Sequence, residues 1–337
     1  MFEIFLLYLK KMAKKIFILL SILVLTTNIY SQKLRTQILD FAKETSKDGY
    51  YILTNVGNYK FEKFCDDKNL ESIIDDFATI VHESCHFLNY NMGMNEPIYN
   101  EAYYIKDQIF IFVQRNKIFN SNNINKIVPS SISQKIFRYE DYINDNRVSS
   151  NVSGIFGLLD EFSAYYQSLK VRNDMHNYYL TQICKGYQNV DEWQTYFQNT
   201  SSYITPYYEF NLFIAWYIQY AQKYETSIYQ TLLENKNLRI AYTLLNNCFE
   251  QELETYNKNL YTTIEQLQKK GFDVRIDGKD EKYLYYYTKE GNGSGVGLYI
   301  KEQEFLNDIL QQPQNQQILE EFKIQGVNIE NYKQHLE

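Results

Sequence analysis

The sequence predicts an α+β fold that is mainly α-helical, with a small β-hairpin region toward its C-terminal end. Three observations carry that expectation. The 337 residues are 45% apolar with only 13 glycines and 4 prolines, so a sizeable core is possible and a collagen-like or disordered class is excluded. Apolar residues recur at helical spacing through most of 154–270. After Gly271 the pattern changes to alternation, with Phe272, Val274 and Ile276 set among Asp273, Arg275 and Asp277. The expected organisation is a leader at 1–31, a large domain at 32–270, and a β-rich region with a closing helix at 271–337, packed on the large domain.

The leader has the order of a secretory signal peptide. Met12-Ala13-Lys14-Lys15 is a short positive segment, Ile16 to Thr26 is an apolar run, and Ile29-Tyr30-Ser31 ends on a small residue. Met12 reads as the start of this signal. The run is well short of the ~20 residues that a spanning helix needs. The expectation is therefore an exported chain, periplasmic or secreted, beginning near Gln32 and without a stable membrane span. Loss of 1–31 removes four lysines and one glutamate and takes the net charge from −7 to −10. An acidic chain repels phosphate backbones, so nucleic acid is not an expected partner. Cys65, Cys85, Cys184 and Cys248 remain. In an exported protein they pair in one of three connectivities, or they serve as small buried residues.

The elements follow in order. Residues 32–48 read as a short helix and Tyr50–Val56 as a strand. From Lys68 to Asn89, Ile73, Ile74, Phe77, Ile80, Val81 and Leu88 recur at helical spacing, with Asp66 or Asp67 to cap the start. Residues 98–114 are rich in Ile, Phe, Tyr and Val and suggest a strand pair. Residues 118–152 read as an irregular insertion with a weak helix near Ile136 to Ile143. Helices are expected at 154–170, 175–186, 191–198, 206–224, 227–247 and 249–270. Phe210 to Tyr220 is apolar almost all round, the pattern of a central buried helix. Tyr283–Thr288 and Val296–Ile300 read as strands around the turn Gly291 to Gly295, and a helix over 302–323 closes the chain. The glycine-rich turn leads into a strand, not a helix N-terminus, so it does not predict a phosphate loop.

The chemistry lies in His82-Glu83-Ser84-Cys85-His86. Residues i and i+4 share one helix face, so His82 and His86 can hold one metal ion together. Glu83 sits about 100° round from His82 and about 60° from His86, where it can lean over the ion without ligating it. Two neutral imidazoles with an adjacent carboxylate suit a zinc ion and the water it activates. A catalytic zinc needs a third protein ligand. Glu96, Glu101, Asp160, Glu161 and His176 are candidates. Glu161 is favoured, because it shares the buried helix face of Leu158 and Tyr165 whereas Asp160 points about 100° away. A buried carboxylate needs a partner, and the competing one is an arginine such as Arg138, Arg147 or Arg172.

The His82 to His86 motif resembles the HExxH signature of the zincin metallopeptidases. Asn89 and Met92 stand where the metzincin pattern has a glycine and a third histidine, which leaves the gluzincin group. Glu161-x-x-Ala164 is similar to the glutamate-x-x-alanine segment of several gluzincin families, the CaaX prenyl endopeptidases among them. Those families often carry an aspartate four residues after the glutamate to brace a zinc-bound histidine. Tyr165 stands there, so the bracing residue is unassigned. The resemblance covers two short segments. It implies a zincin-like catalytic domain at 32–270 with zinc on His82, His86 and Glu161. It also implies a peptide or protein substrate, peptide-bond hydrolysis by a zinc-activated water, and Glu83 as the base. The strand pair would offer an edge to an extended peptide. The alternative is a non-catalytic binding protein on a degenerate zincin scaffold. His176 and Tyr165 are minor candidates for polarising a carbonyl or stabilising an oxyanion. Cys85 reads as a packing residue and His335 as a tail residue.

Overall fold

The computed structural model describes residues 31–65, 70–98, 100–145, 149–185, 189–279, 281–287 and 293–336. The expected signal segment up to Tyr30 lies outside these residues, as do Asp66, Asp67, Arg147, Thr288, Gly291 and Asn292. The described residues are mainly helical, 69% helix and 8% strand, with a small antiparallel sheet near the C-terminus. No described helix is long and apolar enough to cross a membrane.

Helix α1 covers 31–45, and α2 (Lys47–Asn55) follows at once. The Ser46 hydroxyl accepts from the Gly49 amide and caps α2. The strand expected at Tyr50–Val56 is therefore a helix. Its aromatic and β-branched residues suggested a strand, but Gly49, Ile52, Leu53 and Val56 are the buried ones, at helical intervals.

Helix α3 (Leu70–Met94) carries the His82 to His86 motif and runs five residues beyond the expected end. The hairpin β1 (Glu101–Tyr104) and β2 (Phe110–Val113) follows as expected, pairing Glu101 with Val113 and Tyr104 with Phe110. The 118–152 insertion is made of single turns, including α4 (Ser130–Ser133), a π turn at Glu140–Asn144 and α5 (Ser149–Val152).

Helix α6 (Gly154–Asp174) carries Glu161. One-turn α7 (His176–Tyr178) leads to a π turn. Then come α8 (Val190–Ser201), α9 (Thr205–Tyr224), α10 (Thr226–Glu234) and α11 (Lys236–Lys269). The break expected near Asn247 falls instead at Asn235, whose side chain accepts from the Leu238 amide and starts α11. Helix α6 packs against α3, α9 and α11, and the β1–β2 hairpin lies on α3. From Phe210 to Tyr220 only Gln219 is not buried, so α9 is the central helix its composition predicts.

Strands β3 (Asp273–Asp277), β4 (Tyr283–Tyr287) and β5 (Gly293–Gly297) form the second sheet. Strand β5 begins three residues before the expected Val296. Gly293, Gly295 and Gly297 pair with Tyr287, Tyr285 and Tyr283, and a Cβ at Gly295 would lie 2.6 Å from the Tyr285 ring. Gly293 and Gly295 leave room for the Tyr287 and Tyr285 rings, so Gly293 to Gly295, expected within a turn, belong to a strand. The closing helix is two helices, α12 (Ile300–Leu310) and α13 (Pro313–Phe322), because Pro313 starts a new first turn.

All four cysteines are free and buried, which is the small-packing-residue alternative.

Candidate metal centre

His82 and His86 sit one turn apart on α3 and point their Nε2 atoms at each other across 3.1 Å. Glu161 reaches them from α6, its Oε2 lying 3.4 Å from His86 Nε2 and 3.7 Å from His82 Nε2. A point equidistant from three atoms so spaced lies about 2.0 Å from each, against bond lengths of about 2.0–2.2 Å for zinc to imidazole nitrogen and carboxylate oxygen. Among the described residues these three form a cluster able to hold a metal ion, and neither Asp160 nor Glu101 belongs to it.

The outer ring nitrogens decide which tautomers are present. His86 Nδ1 lies 2.6 Å from Asp160 Oδ2, a carboxylate that can only accept while ionised. His82 Nδ1 lies 3.3 Å from Ser168 Oγ, which donates its own proton to the Ala164 carbonyl and so offers His82 a lone pair. Both Nδ1 atoms thus face outward to an acceptor, and each Nε2 is the ring atom turned toward Glu161, the atom open to a metal ion. The Glu161 Oε2 atom is buried and has no hydrogen-bond donor. Two imidazole nitrogens and a carboxylate oxygen brought together out of water need positive charge among them, a proton on His86 or a metal ion in its place. The residues present therefore fit a metal ion.

Asp160 is the bracing residue that the sequence left unassigned. It stands immediately before Glu161 on α6. Its Oδ1 accepts from Asn89 Nδ2 at 2.8 Å, and the Asn89 side-chain Oδ1 accepts from the Tyr104 amide at 2.9 Å. A chain of polar contacts thus runs from β1 through Asn89 and Asp160 to His86. Tyr165 braces the other histidine by packing, with ring centroids 4.5 Å apart and nearly edge to face. Its hydroxyl accepts from Arg138 Nε at 3.0 Å and lies 3.1 Å from the Tyr142 hydroxyl.

The electrostatics agree with this geometry. Burial disfavours the charged form of His86, but Asp160 and Glu161 outweigh it and hold its pKa well above 6.5. Burial likewise opposes ionisation of Glu161, yet His86 and His82 hold its carboxyl well below the usual range. The field that retains a proton on His86 also attracts a divalent cation, and the two compete for the same lone pair.

The cluster opens on a cleft of about 960 Å³, with half-buried Glu83 in its wall beside His82 and His86. The remaining candidates fall elsewhere. Glu96 is exposed, and Glu101 pairs with Arg115 at 2.6 Å farther along the cleft. His176 bonds Thr263 at 3.2 Å and packs on Trp193, outside the cleft-lining set. Of the arginines weighed against a metal, Arg138 pairs with Glu209 and Arg172 binds Thr200 and the Tyr196 carbonyl. Cys85 faces Ser163 in the core, where burial pushes its thiol up to about 12. Gly157, one turn before Glu161, admits the close approach of α5: a Cβ there would lie 2.1 Å from the Ser150 carbonyl oxygen.

No family model, curated protein or solved structure compared with the chain matches it.

Proposed function

We propose that the protein is a zinc-dependent metallohydrolase, a peptidase of the gluzincin type, acting on peptide or protein substrates after export. The single observation that carries this reading is the meeting of His82, His86 and Glu161 at ligand spacing on two packed helices. Two imidazoles and one carboxylate also suit iron(II). Zinc is favoured because Glu83, the neighbour of a ligand on the same helix, opens on the same cleft, where a hydrolytic base is required. When bound, zinc would polarise the scissile carbonyl and make a water molecule acidic.

The rest is work for the chain. Asp160 and Ser168 fix the imidazole orientations. Glu83 takes a proton from the attacking water and passes it to the leaving amine. The β1–β2 hairpin packs on α3, the helix that forms part of the cleft wall.

The experiment is a pair of measurements on Glu83→Gln, which keeps size and shape but cannot act as a base. Zinc content should match that of the parent protein, and cleavage of a peptide library should fall by at least about 100-fold. Undiminished cleavage would rule out this mechanism.

A further inference from the structure

The cleft continues past the metal cluster to a second built group. Arg115, just after β2, donates from Nη2 both to Glu101 Oε1 at 2.6 Å and to Ser153 Oγ at 3.0 Å. Its guanidinium carbon lies 5.8 Å from the centre of the Phe156 ring. Among the described residues both polar contacts of this guanidinium leave from the one nitrogen, so Nε and Nη1 keep free donors on a fixed plane. A second observation is independent of it. Ser150 lines the same cleft with a buried hydroxyl that has no hydrogen-bond partner. Ser150 stands three residues before Ser153, which accepts from Arg115, so the orphan hydroxyl and the half-tethered guanidinium belong to one stretch of the cleft wall.

We infer that Arg115 and Ser150 form a subsite for a substrate carboxylate. The inference rests on the peptidase reading and adds a substrate class to it: peptides bearing a carboxylate a short, fixed distance from the cleaved bond. Among the described residues lining the cleft, Arg115 is the one lysine or arginine, and Glu83, Glu101, Asp160 and Glu161 are all acidic. Among these residues an anionic group is best accepted at Arg115. Burial pushes Glu101 up to about 7 against the pull of Arg115, so near neutrality Glu101 offsets the guanidinium only in part.

The spacing gives a register. Ser153, which holds Arg115, precedes Glu161 by eight residues along α6, about 12 Å at 1.5 Å per residue. An extended peptide advances about 3.3 Å per residue. The carboxylate thus falls about three to four residues from the scissile bond. It comes either from the C-terminus of a peptide or from an acidic side chain.

The test is calorimetric binding to the zinc-loaded Glu83→Gln protein, which removes turnover from the measurement. The probes are three N-acetylated hexapeptides: a free acid, its C-terminal amide, and an amide carrying aspartate at one position. We expect the acid to bind about 10- to 100-fold more tightly than the plain amide, the range of a charge-assisted pair. Arg115→Gln should bring that ratio close to one, and Arg115→Lys should restore part of it, with zinc content held in both. Recovery of affinity by the aspartate amide assigns the carboxylate to a side chain, and its failure assigns it to the C-terminus. Equal binding of acid and amide, no binding at all, or a preference that survives Arg115→Gln overturns the inference. Cleavage by the parent protein without carboxylate preference would sink this inference alone. Carboxylate-dependent binding without cleavage would sink the peptidase reading alone.

Discussion

Asp160→Asn probes the centre without removing a ligand. In the native site Asp160 accepts twice, from His86 Nδ1 at 2.6 Å and from Asn89 Nδ2 at 2.8 Å. An asparagine has the same shape but one acceptor oxygen. It can satisfy His86 or Asn89, and its amide then faces the other donor. If Asn89 wins, His86 loses the contact that fixes its tautomer and orientation. Loss of such a contact weakens metal binding by about 10- to 100-fold, or about 1.4–2.7 kcal/mol. Glu161→Ala deletes a ligand and should cost far more. The assay is zinc affinity by competition with a chromophoric chelator at neutral pH. The expected order is parent, then Asp160→Asn, then Glu161→Ala. The reasoning is refuted if Asp160→Asn binds zinc within about twofold of the parent, or as poorly as Glu161→Ala.

Three further outcomes follow from the same structure. His176 has its pKa lowered to about 4 by burial, below the ordinary 6.5, so the unfolded chain binds the extra proton first. Its contribution to stability is full above about pH 6.5 and lost as pH falls toward 4. After discounting for partial exposure this is roughly 1–2 kcal/mol, and His176→Gln should flatten that part of the stability profile in urea titrations. Gly157→Ala forces a methyl group against the Ser150 carbonyl and should cost about 1–3 kcal/mol, read as a fall of several degrees in Tm; an unchanged Tm would contradict the packing. Mass spectrometry of the exported protein should find an N-terminus at or near Gln32, and recovery of only the intact chain inside the cell would refute export.

Much of the centre was legible because helix geometry is local. The spacing of His82 and His86 fixes a shared face, and the inward face that Glu161 shares with buried Leu158 and half-buried Tyr165 selects it over Asp160. The role of Asp160 was not legible. It depends on how α6 is rotated against α3, and an outward angle from Glu161 proved to be the angle that meets the far side of His86. A signal existed, since an acid beside a ligand on the same helix is one step round toward the neighbouring histidine. Ser168 gave no signal at all, because a serine two turns along a buried face reads as packing. Among the elements, α2 was misread from residue type where period and the Ser46 cap were the better guides. The break at Asn235 was missed because a capping asparagine is visible only to a reader who asks what starts the next helix.

The central claim is that two histidines and Glu161 hold one zinc ion. X-ray absorption at the zinc edge on purified protein tests it most directly, because it counts donors and measures their distances. The account predicts about one zinc per chain, with two nitrogens near 2.0–2.1 Å and a carboxylate oxygen near 2.0–2.2 Å. The oxygen should be lost from the spectrum, or the metal from the protein, in Glu161→Ala. Protein that carries no zinc after preparation with the metal supplied would contradict the account. So would a spectrum dominated by sulfur near 2.3 Å, or zinc retained unchanged when both His82 and His86 are replaced by alanine.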